Sequence, residues 1–146
     1  MKRLRNDHGF TLIELMVVIL ILGLLVAYVG PRVLGFSDKA KIDTSRAQIS
    51  GLVTALKLYK IDNGQYPSAE QGLSALVKKP TADPLPNNWK KKGYMGKRKL
   101  PKDPWGRDYQ YANPTLHEEN QDIDVYSLGP DDKSDEDDIG NWQSKN

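Results

Sequence analysis

The chain contains no cysteine. Disulfide stapling and thiol chemistry are therefore excluded, and cysteine usage says nothing about the redox compartment. Histidine is scarce: His8 and His117 are the only two. Neither belongs to a recognisable catalytic constellation, and the chain carries no nucleophile elbow, phosphate loop or metal-hydrolase motif. The residues therefore point away from an enzyme. Charge is also missing over one long stretch. From Phe10 to Pro31 the only charged side chain is Glu14.

What is present is unevenly distributed. The formal net charge is +2 over 146 residues, but it conceals two opposed blocks. Lys78 to Lys102 holds nine Lys/Arg and one acid, Asp83; His117 to Asn146 holds ten Asp/Glu against Lys133 and Lys145. A basic block can mark nucleic-acid binding. Here Pro80, Pro84, Pro86 and Pro101 interrupt it and no nucleic-acid motif overlaps it, so no nucleic-acid partner is expected. The length admits one domain, or an anchor and one small domain.

Phe10 to Val29 is twenty residues long, enough to cross hydrocarbon as a helix. The segment before it carries Lys2, Arg3 and Arg5 against Asp7. Positive charge on that side keeps the amino end in the cytoplasm. No A-x-A cleavage pattern follows the run, so the segment reads as an anchor rather than a secretory signal. Glu14 is the anomaly. A carboxylate inside a span costs a few kcal/mol, less near an end, and such residues usually have a partner. The run offers no cation. A free amine would serve, if the chain were cut just before Phe10; it would stand one helical turn from Glu14.

Helical periodicity continues beyond the span. Ile49, Leu52, Val53, Leu56 and Tyr59 follow helical spacing, while Asp43, Arg46, Gln48, Lys57 and Lys60 are polar. A helix from Phe10 to about Asp62 is expected, ending at Asn63-Gly64. Gly30-Pro31 and Gly35-Phe36-Ser37 are its soft points. Ser68, with Gln71 three residues on, predicts a capped short helix that includes Leu73, Leu76 and Val77. The proline-rich stretch from Lys78 to Gly106 reads as an ordered loop pinned by Trp89, Tyr94, Leu100 and Trp105. Asp108–Ala112 and Ile123–Leu128 alternate as strands, with a polar hairpin loop between them and a short third strand possible. The expected fold is α+β, a long helix packed on a small antiparallel sheet.

"GFTLIELMVVILILGLL" resembles the N-terminus of the type IV pilin-like proteins. "DNGQYPSAEQGLSALV", "LPKDPWGRDYQY" and "DVYSLGPD…DDIGNW" narrow the resemblance to the major pseudopilins of type II secretion systems, from Gly9 to Trp142. The resemblance implies a type IV pilin-like fold and three regions: a cleaved leader at 1–9, a membrane-spanning and filament-core half-helix at 10–30, and a periplasmic head at 31–146. It implies cleavage by a prepilin peptidase between Gly9 and Phe10, N-methylation of Phe10, and an assembly role for Glu14. The expected partners are further copies in a helical filament, minor pseudopilins, an inner-membrane assembly platform with its ATPase, and the membrane itself. The expected function is a periplasmic fibre that helps folded proteins cross the outer membrane. Two other readings stay open from the residues: a type IV pilus subunit for adhesion or motility, and a membrane-tethered calcium-binding module.

Asp131, Asp132, Asp135, Glu136, Asp137 and Asp138 crowd eight residues. Taken alone they fit either a solvated acidic tail or an irregular loop around a hard cation. The spacing is not an EF-hand, since Glu136 replaces the required glycine and Trp142 the bidentate Glu. The resemblance implies one Ca2+ here, held by the side chains of Asp131 and Asp137 and by the carbonyls of Leu128, Lys133 and Glu136. The choice among Asp135, Glu136, Asp137 and Asp138 stays open. Such an ion would tie the end of the second strand to the C-terminal region, where a cystine is absent.

Overall fold

The computed structural model describes residues 10–118, 122–131, 133 and 138–142, and for residues 30–36 the backbone alone. The chain forms two compact units, Met1–Lys39 and Ala40–Asn146. Helix α1 spans Leu12–Asn63, strand β1 Gln110–Ala112, β2 Asp124–Ser127 and β3 Ile139–Gly140, with one 3₁₀ turn at Leu73–Leu76. Helix α1 passes both soft points, although Pro31 supplies no i→i−4 hydrogen bond. It ends where expected. Gly64, at φ 83°, donates its N–H to the Lys60 carbonyl at 2.7 Å, a left-handed stop that glycine adopts without penalty.

The second unit owns a hydrophobic core. Ile49, Leu52, Leu56 and Tyr59 of α1 are buried together with Leu76, Tyr109, Ile123, Val125 and Ile139. The spacing 49, 52, 56, 59 puts these four on one stripe of the helix, which is why its two faces differ so sharply. The sheet is antiparallel in the order β1-β2-β3, with Tyr111 opposite Val125 and Ser127 opposite Ile139. Leu56 is fully buried. Leu56→Ala is expected to lower the stability of this unit by about 2–5 kcal/mol, read as a shift in a urea titration of the detergent-solubilised chain.

Two elements depart from the expectation. Ser68 and Gln71 do exchange the reciprocal bonds of a capping box: Ser68 N–H donates to Gln71 Oε1 at 3.1 Å, and Gln71 N–H to Ser68 Oγ at 3.2 Å. The 3₁₀ turn nevertheless begins only after Gly72, at φ 57°. Gln71 is drawn instead onto the loop, its Nε2 donating to the carbonyls of Ala82 and Pro84. The strands are also shorter than the alternation predicts, because β1 is confined to three residues by its register with β2.

The proline-rich loop is ordered and anchored by its aromatics. Trp89 Nε1 donates to the Ala75 carbonyl at 2.8 Å, and the Tyr94 ring packs 5.2 Å from that of Tyr59. Gly93 crosses the 3₁₀ turn at φ 74°, where a Cβ would meet the Leu76 carbonyl at 2.7 Å. Only glycine fits there.

Candidate functional site

From Leu12 to Val29, α1 buries no side chain. Every large apolar side chain from Leu12 to Val29 is at least 47% exposed. One 18-residue window, Leu12–Val29, is long and apolar enough to cross a membrane. Glu14 sits at its start. Contrary to the sequence reading, the carboxylate has partners within the chain. Thr11 donates to Glu14 Oε2 from its backbone N–H at 2.8 Å and from Oγ1 at 3.0 Å, and Glu14 N–H returns a bond to Thr11 Oγ1 at 3.3 Å. This is a capping box: Thr11 caps the helix and Glu14, three residues on, satisfies its amide. The signal for it in the sequence is Thr-x-x-Glu ahead of an apolar run. Among the described residues no cation pairs with Glu14. Gly9 lies outside the described residues, and Phe10 is exposed.

The acidic loop leaves β2 at Ser127. Gly129, buried at φ 69°, turns the chain, and its N–H donates to Ser127 Oγ. Asp131 is exposed, and its Oδ1 accepts the Lys133 N–H at 3.0 Å. Leu128, Asp131 and Lys133 are thus brought into one short loop ahead of β3. Glu136 and Asp137 lie outside the described residues. Among the described residues no group of three or more Asp, Glu, His or Cys is arranged to hold a metal. The donors present are a carboxylate and peptide carbonyls, with no thiolate or imidazole. Such an oxygen set suits Ca2+ and does not suit zinc or copper.

Two buried carboxylates that sequence reading missed support this loop. Asp103 of the Asp-Pro-Trp-Gly turn accepts the Trp105 and Arg107 amides through Oδ1, and the Ser127 hydroxyl through Oδ2 at 2.7 Å. It therefore fastens the end of β2. Alternation puts Asp124 on the face opposite Ile123, Val125 and Ser127, and it is fully buried there. The hairpin loop covers that face: Thr115 Oγ1 and the Leu116 N–H each donate to Asp124 at 2.6 Å, and His117 Nδ1 lies 3.0 Å from it. The His117 ring stacks on Trp142 with centroids 3.6 Å apart. Alternation reads only which residues share a face, not whether a loop covers it. Asp124→Ala would leave these part-buried donors without their acceptor and is expected to cost about 1–3 kcal/mol, measured by urea titration beside Asp124→Asn.

Burial raises the phenol pKa values of Tyr59, Tyr66, Tyr94, Tyr109, Tyr111 and Tyr126. The folded head therefore holds protons that the unfolded chain releases near pH 10. Its stability is intact below that pH and is expected to fall as pH rises beyond it, seen as a declining melting midpoint in an alkaline series.

A charged-headed apolar half-helix before a small α+β unit defines a class. Residues 4–30 match the prokaryotic N-terminal methylation motif, so this is a membrane-anchored, pilin-like subunit. Residues 32–142 match the family described as type II secretion system (T2SS), protein G, and the chain belongs to that family. It is 51% identical to the type II secretion system core protein G of Pseudomonas aeruginosa, over 96% of this chain and 98% of the relative. It is 47% identical to that of Vibrio cholerae, over 97% and 96%. It is also similar to the crystal structure of the major pseudopilin from the type 2 secretion system of enterohaemorrhagic Escherichia coli: TM-score 0.67, 47% identity, covering 75% of this chain and 92% of that one. These findings favour a major pseudopilin over a pilus subunit for adhesion or motility and over an isolated calcium-binding module.

Proposed function

We propose that this chain is the major structural subunit of a type II secretion pseudopilus and performs no chemistry itself. It is inserted once in the inner membrane with its head in the periplasm. A prepilin peptidase cuts between Gly9 and Phe10 and methylates the new amine. The assembly platform, with minor pseudopilins, then draws subunits into a periplasmic fibre that helps export folded proteins. The observation that carries this reading is the uncovered half-helix Leu12–Val29. Its apolar surface is satisfied by lipid before assembly and by other copies afterwards, and at about 25 cal/mol per Å2 neither state tolerates water. Glu14 then sets the axial register by pairing with the Phe10 amine of a neighbour, since a wrong register strands a charge in low dielectric.

The acidic loop would hold Ca2+ through the Asp131 and Asp137 side chains and the Leu128, Lys133 and Glu136 carbonyls. When bound, the ion would supply charge neutralisation and cross-linking there, and Asp103 and Ser127 hold the loop's start in place. Overproduction with the secretion machinery is expected to give thin fibres visible by electron microscopy, and deletion to abolish export while surface motility persists. Loss of motility with export intact would overturn the reading in favour of a type IV pilus subunit.

A further inference from the structure

Asn63 is followed by Gly64, and no other asparagine of the chain precedes a glycine. This dipeptide is chemically reactive. The Gly64 nitrogen can attack the side-chain amide carbon of Asn63. A new C–N bond closes a cyclic imide, the amide nitrogen leaves as ammonia, and the Gly64 proton passes to solvent. Water then opens the ring at either carbonyl, giving aspartate or isoaspartate. Glycine favours the reaction because no Cβ shields its nitrogen or restricts the backbone.

The fold holds the reacting atoms apart. Gly64 N–H donates to the Lys60 carbonyl at 2.7 Å, so the nucleophile is engaged. Asn63 Nδ2 donates to the Tyr59 carbonyl and to the Tyr94 hydroxyl, both at 2.9 Å, and its Oδ1 accepts the Asn88 N–H at 2.9 Å. The side chain turns toward Gly64 only by breaking these bonds. The same bonds seat the basic loop on the end of α1. Asn88 Nδ2 adds a bond to the Asp62 carbonyl at 3.2 Å, and Lys90 pairs with Asp62 at 2.9 Å. Beyond them Lys91, Lys92, Lys97, Arg98 and Lys99 are exposed, and like charges so crowded favour release once the tie is cut. Gly64 itself is exposed, so water reaches the site.

We propose that Asn63 is a latent deamidation site, shut while the basic loop is seated on the end of α1 and open when the loop lifts. The reaction is irreversible, so it records the opening. It also hinders reseating. A carboxylate at 63 has no N–H for the Tyr59 carbonyl, and it sets a second negative charge beside Asp62. Isoaspartate adds a main-chain carbon ahead of Gly64 and displaces its bond to Lys60. The device belongs to the head alone and does not depend on fibre formation.

The full chain in detergent is incubated in mildly alkaline buffer, either folded or in guanidinium chloride, and then digested with trypsin. Cleavage after Lys60 and Lys78 gives the peptide Ile61–Lys78, whose only asparagine is Asn63. Its amide-to-acid mass shift is expected to appear at least about tenfold faster in the denatured arm than in the folded arm. Tyr94→Phe keeps the ring and removes one acceptor. It should raise the folded rate several-fold and leave the denatured rate unchanged. Asn63→Asp, standing in for the product, should lower the guanidinium midpoint of the head. Equal rates in the two arms of the parent would overturn the protection. A folded rate unmoved by Tyr94→Phe would overturn its dependence on the loop, and a parent-like midpoint for Asn63→Asp would overturn the hindered reseating. None of these outcomes bears on the fibre reading.

Discussion

Glu14→Ala is expected to yield a stable, membrane-inserted subunit that forms no fibre. The two halves of that outcome have separate causes. Insertion tolerates the change because the variant no longer takes a carboxylate into the apolar run, which costs about 2.5–3.5 kcal/mol at mid-span and less near an end. The capping box with Thr11 is lost, a cost of about 1 kcal/mol. Assembly does not tolerate the change, because each incoming subunit then buries the Phe10 amine without its counter-charge, a penalty of about 3–5 kcal/mol per contact. Glu14→Gln divides the two roles. A glutamine keeps the capping geometry, since Gln serves at this position as Glu does, but it carries no charge. Thin, abundant fibre from the glutamine variant would show that capping is all that Glu14 contributes. Normal fibre from the alanine variant would remove both roles.

Chelating calcium is expected to lower the melting midpoint of the head more than any single surface substitution. An ion present at a hundredfold excess over its Kd contributes about 2.7 kcal/mol. For a unit of this size that is roughly 10 °C or more, at about 4–8 °C per kcal/mol. The effect should report on Trp142, whose ring stacks on His117 and lies 5.5 Å from Tyr126 at the far side of the loop. Asp131→Ala should bring the midpoint of the calcium-loaded chain down to that of the chelated parent and make it insensitive to chelator. Equal parent midpoints with and without chelator, at low magnesium, would count against the site.

The parts of the fold set by local chemistry were open to sequence reading. The spacing of Ile49, Leu52, Leu56 and Tyr59 marked the buried stripe of α1, and Asn63-Gly64 marked its end. The aromatics of the proline-rich loop identified it as ordered. What escaped was set by tertiary contact. Ser68 and Gln71 form their capping box, yet Gln71 is recruited by Ala82 and Pro84 and the turn starts late. Asp124 alternates with Ile123 and Val125 in the sequence and is buried by a loop that alternation does not see. Glu14 was legible as an anomaly by its charge, whereas its Thr11 partner is a neutral capping residue that a search for counter-charge does not reveal. For the acidic loop, the residue types alone fit a solvated tail as well as an oxygen-liganded cation, and the ion was implied by the resemblance. The structure brings Leu128, Asp131 and Lys133 into one loop, while the ligands assigned to Glu136 and Asp137 remain proposals.

Assembly as proposed requires a new amine at Phe10 close to a carboxylate at Glu14. The most direct measurement is the intact mass of the chain extracted from membranes of a host with an active prepilin peptidase. The account predicts one species that lacks residues 1–9 and is heavier than the trimmed chain by a single methyl group. Recovery of only the full-length, unmethylated polypeptide would contradict it.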